Sequence, residues 1–413
     1  MKRIALRALV ILPLTVIAAV MVTSPAAAQI AVRGETVYTM VGDPIANGVV
    51  IINERKIVAV GSADDIEIPE GYRVLEAKVV TPGLIDAHSV VGLGGIDNQD
   101  QDQEQLEASN PVQPGMRAID AYNAKDPLVE WVRTLGITTV HTGHAPGELV
   151  SGQTMIVKTY GNTVEDAVIS SAYGVACTLS SDAQKAGTQS PGTRGKMLAM
   201  LRQQLIEARE YLAKLEAAGE DEAKKPARDL RLETLGQVLQ GELKLIVTAD
   251  RAQDIASALR LREEFGFPLV LDSAAEAYTM TDEIKAAGVP VIVHPSMYRA
   301  VGDRGNMSFE TAAKLKEAGI PIALQSGYES YVPKTRVALY EAAITAANGL
   351  SFEEALATIT IDAAMLLGIN DRVGSIESDK DADLALYDGD PFEYTTHCVG
   401  VIINGQVVSE EVR

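Results

Sequence analysis

The sequence predicts an α/β fold, a (β/α)8 TIM-type barrel carrying a small β-sandwich domain formed from both chain ends. Three observations carry that expectation: a strand–helix repeat punctuated by Gly-x-Pro, strands that are apolar without interruption, and strand-rich segments on both sides of a helical middle. The punctuation reads Gly266-Phe-Pro268, Gly288-Val-Pro290 and Gly319-Ile-Pro321, each followed by an apolar run. Glycine closes a helix in a left-handed cap, and proline bars helix just before the next strand. Continuous apolarity suits a parallel sheet covered on both faces. Repeated units at this length favour closure into a barrel over an open sheet.

Taken in order, residues 1–28 read as a signal peptide. Lys2, Arg3 and Arg7 make a basic start, an apolar run follows, and Ala26-Ala27-Ala28 offers a small-residue cleavage site. The apolar run is shorter than the roughly 20 residues a spanning helix needs, and no cysteine follows for lipid attachment. Export to the periplasm or medium is the expectation. A strand is expected over 37–40 and a hairpin over 48–61, turning at 53–55. The far end supplies a strand over 382–387 and another over 398–403, which turns through Asn404-Gly405 into 406–408. The sandwich is thereby assigned residues 29–82 and 374–413, and the barrel 83–373.

Within the barrel, 245–247 leads to a helix over 254–264, 268–271 to a helix ending at Gly288, and 290–293 to a helix over 308–318. An insertion adds helices over 197–218 and 230–239, joined by a charged link at 219–226. The polar stretch 97–107 lacks the glycine turn and spacing of an EF-hand calcium loop and reads as a solvated surface loop. Following the first barrel strand closely, 97–114 is placed to lid the barrel mouth.

Bulk properties narrow the function classes. The formal charge is −20, and losing the three basic leader residues takes it to −23, which repels nucleic acid and anionic membrane. No membrane contact is expected once the leader is gone. Cys177 and Cys398 make no disulfide framework. Neither a Gly-x-Ser-x-Gly elbow nor a phosphate-cradling glycine loop occurs.

At Thr81-Pro-Gly-Leu-Ile-Asp-Ala-His88 the chain resembles the amidohydrolase superfamily, especially its imidazolonepropionase-like branch, where such a strand end continues to a second histidine. Gly136-Ile-Thr-Thr-Val140, residues 359–368, Val373-Gly-Ser-Ile376 and Lys380-Asp-Ala-Asp383 extend the resemblance over nearly the whole mature chain. It implies a hydrolase acting on non-peptide carbon–nitrogen bonds. One or two divalent cations such as zinc would lower the pKa of water from about 15.7 to about 7 and polarise a carbonyl. His-x-His suits such a site because residues i and i+2 of a strand point to the same side.

Only His88 stands among the family's ligand positions. The i+2 residue is Val90. Thr248-Ala-Asp250 stands where the branch reads His-Ala-His, Asp272-Ser273-Ala274 where it reads Glu-His-Gly, and Gln325-Ser326-Gly327 where it reads Gln-Thr-Asp. Zinc sites use three or four protein ligands, so the inherited site reads as lost. No cofactor is expected, although zinc is the family default.

The barrel mouth gathers its own candidates: His88, His141, His144 and His294 at strand ends, with Asp250, Asp272 and Lys158. Lys158 resembles the carboxylated bridging lysine of some members; a structural lysine or a substrate contact is the other reading. Three readings of the group stay open. A relocated mononuclear metal site would use His88, His294 and one of His141 or His144. A metal-free pocket would bind an amide-type small molecule, in a pseudoenzyme or in a partner of an intact paralogue, as homo- or hetero-oligomer. The third reading gives the imidazoles no shared task.

Overall fold

The computed structural model describes residues 29–97, 99–187, 189–328 and 338–412; the leader expectation falls outside them. At the N-terminal end, β1 (Gln29–Val37), β2 (Ile45–Asn53), β3 (Lys56–Ser62) and β4 (Arg73–Pro82) lead into the barrel. The barrel sheet holds β5 (Leu84–Ser89), β6 (Ile137–Thr142), β7 (Val150–Lys158), β8 (Val168–Thr178), β9 (Lys244–Thr248), β10 (Leu269–Ser273), β11 (Val291–Val293) and β12 (Ile322–Leu324). The chain returns through β13 (Leu384–Tyr387), β14 (Cys398–Ile403) and β15 (Gln406–Ser409).

The eight barrel strands lie in sequence order, and a parallel bridge from Ser89 to Gly327 nearly closes the ring. Helices capped by left-handed Gly266 and Gly288 separate β9, β10 and β11, as the glycine–proline punctuation predicts. Inside the ring Ile85, Ile156, Ile246, Val270, Ile292 and Ala323 pack together. The helix Ile361–Leu367 plugs the end where most strands begin, through Ala363, Ala364 and Leu367.

Two expectations need correction. The ring is not wholly parallel: β7 runs against both β6 and β8. Only residues 143–149 join β6 to β7, and a parallel crossover needs a dozen residues or more. The first strand covers Gln29–Val37, not 37–40. Beyond Val37 the chain turns at Met40 (φ 60°), where the Thr39 hydroxyl donates to the Val41 carbonyl at 2.8 Å.

Both chain ends share a seven-stranded sheet in the order β15-β14-β13-β4-β1-β2-β3. Its core joins Val32, Val50 and Ile57 from one end to Leu384, Leu386 and Ile402 from the other. The Asn404-Gly405 turn has φ of 52° and 70°, the left-handed pair a type I′ hairpin demands. The inserted helices span Arg194–Ala218 and Leu230–Gln240. The polar stretch near 97–107 crosses the β6–β7 connection, where Gln105 accepts the Ala145 amide at 2.7 Å.

Candidate functional site at the barrel mouth

Strand periodicity builds the centre. Ile246, Val270 and Ala323 point into the barrel, so two residues on, at the C-terminal edge, Thr248, Asp272 and Gln325 converge. The Asp272 carboxylate is fully buried and takes four donors. Oδ1 accepts from His88 Nδ1 at 3.1 Å and Gln325 Nε2 at 3.1 Å; Oδ2 accepts from Thr248 Oγ1 at 2.7 Å and from the Tyr328 hydroxyl. Burial opposes charge on Asp272, but the field of His88 and the hydrogen bonds from His88, Tyr328 and Thr248 outweigh it, holding the carboxyl below its ordinary range. Four donors on one carboxylate make a closed arrangement.

His88 lies in β5 within a register shift between Asp86 and Ser89. Its ring stacks on His141 at a centroid distance of 4.6 Å, and Tyr328 meets it edge-on at 4.9 Å. His141 donates from Nδ1 to the Ala87 carbonyl at 2.6 Å and accepts from Thr154 Oγ1 on Nε2 at 2.8 Å. Burial, then the field of His88, pushes its pKa well below the ordinary imidazole value. Beneath them Asp86 accepts the Ser326 amide at 3.1 Å and the Ser326 hydroxyl, and burial nevertheless pushes its pKa up to about 6.

The remaining candidates stand apart. Asp250 accepts the Ser273 hydroxyl at 2.5 Å and faces Arg304 at 3.5 Å; burial pushes it up to about 6. His144 is buried, neither of its ring nitrogens is partnered among the described residues, and desolvation takes its pKa down to about 4. His294 does not join His88, because its ring nitrogens face the Pro295 carbonyl at 3.4 Å and the Thr311 hydroxyl at 3.2 Å.

Lys158 is not at the mouth at all. The reversed β7 carries it to the opposite end of the barrel, where Nζ meets Asp381 at 2.8 Å, Asp383 at 3.0 Å and Asn404 Oδ1 at 2.5 Å. It is a structural clamp between the barrel and the terminal sheet.

The sequence reading missed Tyr328, Tyr298 and Asp86. Gly327, where the family pattern carries a carboxylate, has φ +94°, and a Cβ there would stand 2.3 Å from the Tyr298 hydroxyl. That hydroxyl in turn accepts the Tyr328 amide at 3.0 Å. Asp86 could have been found, since it sits two residues before His88 in the quoted motif. The tyrosines lie outside the strands, where no period marks them. Among the described residues, no group of three or more His, Cys, Asp or Glu side chains is disposed to hold a metal ion.

Comparison with known proteins matches residues 212–409 to the amidohydrolase family. A solved amidohydrolase from Thermotoga maritima MSB8 shares 29% identity at a TM-score of 0.85, covering 92% of this chain and 100% of that one. This chain belongs to the amidohydrolase superfamily. An imidazolonepropionase of Fusobacterium nucleatum is 24% identical over 379 residues, 86% of this chain and 88% of that protein. The amidohydrolase tasK of Hapsidospora irregularis is 23% identical over 371 residues; these are 82% of this chain but only 37% of the fungal protein. Superfamily membership supports a hydrolase acting on carbon–nitrogen bonds, and members usually bind a divalent metal.

Proposed function

We propose that this chain is an exported, metal-independent member of the superfamily whose barrel mouth binds a small molecule rather than hydrolysing one, alone or as the partner of an intact paralogue. One observation carries the reading. The volume in which residue 327 would present a carboxylate is filled by the Tyr298 hydroxyl, on a backbone conformation that disfavours any side chain. Around it Val90 has no lone pair, and both Asp272 oxygens are engaged by neutral neighbours and His88. These residues do not fit a divalent ion, which needs three or four protein donors.

A second reading, a carbon–nitrogen hydrolase, draws on the similarity to an imidazolonepropionase and on the retained His88. Metal analysis of the purified mature protein separates the two, paired with turnover assays on amides, ureas, lactams and acyl dipeptides. The proposal expects less than about a tenth of an equivalent of zinc, iron or manganese and no turnover. Near-stoichiometric metal that disappears in His88→Ala overturns it.

A further inference from the structure

Among the described residues, two acceptor atoms at the centre of the mouth have no partner. His88 Nε2 and Gln325 Oε1 are both buried and both unbonded, and each belongs to a side chain whose other polar atom is fixed on Asp272 Oδ1 at 3.1 Å. The fixed ends determine the chemistry of the free ends. Asp272 can only accept, so Gln325 must present its amide nitrogen to it, and the carbonyl oxygen faces away. Likewise, in the neutral form of the ring, Nδ1 of His88 carries the hydrogen given to Asp272 and Nε2 holds the lone pair.

An unmet buried acceptor is costly, and two beside one carboxylate mark a place for a donor. The surroundings have the matching sign. Asp272 brings a negative charge, Asp86 accepts the His88 amide at 3.3 Å, and no lysine or arginine is bonded to either carboxylate among the described residues. Tyr328 is the partly exposed member of the group, with its hydroxyl on Asp272.

We infer that the mouth receives a nitrogen head carrying at least two N–H bonds, a primary amide or an ammonium group, donated to His88 Nε2 and Gln325 Oε1. This rests on the metal-free reading above and names the ligand class for that site. A metal ion would need the same Nε2 lone pair, so the two occupants exclude each other.

Calorimetric titration of the chelator-treated full chain with acetamide and with methylammonium chloride tests it, against sodium chloride and sodium acetate. At least one nitrogen probe should bind saturably, and Gln325→Leu should weaken it at least tenfold. Gln325→Leu also removes a donor from Asp272, so a measurement on the unaltered protein stands beside it. In histidine-selective ¹⁵N NMR, the bound probe should move the Nε2 signal of one imidazole while its Nδ1 stays protonated. Acetamide binding alone identifies an amide head, methylammonium binding alone a cationic one. A folded, metal-free protein that binds neither probe overturns this inference and leaves the metal-free reading standing, a buried water then sufficing for both acceptors. Stoichiometric zinc held through His88 overturns both.

Discussion

Replacing Lys158 by methionine should cost about 3–5 kcal/mol of folding stability, the usual penalty for removing one partner of a buried ion pair. The distribution of the loss follows from the contacts. Lys158 has a side-chain exposure of 2% and lies between Asp381 and Asp383. Asp381 would keep Lys56 at 2.9 Å and Arg372 at 2.8 Å. Among the described residues Asp383 has no such substitute: its other bond is the Asn404 amide at 2.8 Å, and burial already raises its pKa. The charge stranded by Lys158→Met is therefore that of Asp383. Adding Asp383→Asn to Lys158→Met should recover at least about half of the loss, so the two changes depart from additivity by at least about 1.5–2.5 kcal/mol. Urea unfolding of the single and double variants measures this, provided the slope m stays constant. A Lys158→Met penalty below about 1 kcal/mol, or Asp383→Asn costing as much in the variant as in the parent, would refute the clamp.

Further outcomes follow from the mouth. His144 has a folded pKa of about 4 against about 6.5 unfolded, so the unfolded chain binds the extra proton between those values and stability falls as pH drops through that window. Asp86 and Asp250, raised to about 6, work in the opposite direction, gaining stability as pH falls from about 6 toward 4. Stability of the parent minus that of His144→Asn isolates the imidazole: it should shrink by about 2.5 kcal/mol between pH 7 and pH 4.5, and a pH-independent difference would contradict the burial argument. Gly327→Asp should bind no zinc by metal analysis and should lose about 1–3 kcal/mol to its left-handed backbone and the Tyr298 contact. Adding Tyr298→Ala should return part of that loss in thermal unfolding; no return would show that the hydroxyl is not the obstacle.

Much of the barrel was legible because its signals are local. Gly288 and Pro290 mark a helix end and a strand start whatever surrounds them, and a fixed inward parity at Val270 puts Asp272 at the edge. The direction of β7 was not legible, since Val150–Lys158 is buried along its whole length and a uniformly buried strand carries no mark of which way it runs. With the direction went Lys158. His294 was misjudged for a related reason: β11 ends at Val293, so strand parity no longer governs the next ring, which turns to Thr311. Tyr298 and Tyr328 act from connecting segments brought together only by the closed ring. Their influence on residue 327 is a packing fact with no pattern in sequence.

The terminal sheet has a consequence for synthesis. β13 lies against β4, pairing Leu384 with Pro82 across roughly 300 positions of chain, while β4 already holds β1 on its other side. Until the last strands emerge, β4 offers a bare row of amides and carbonyls to any neighbouring polypeptide. Nascent or clipped chains lacking the final thirty or so residues should therefore self-associate, and whatever escorts this protein must guard that seam until the C-terminus arrives.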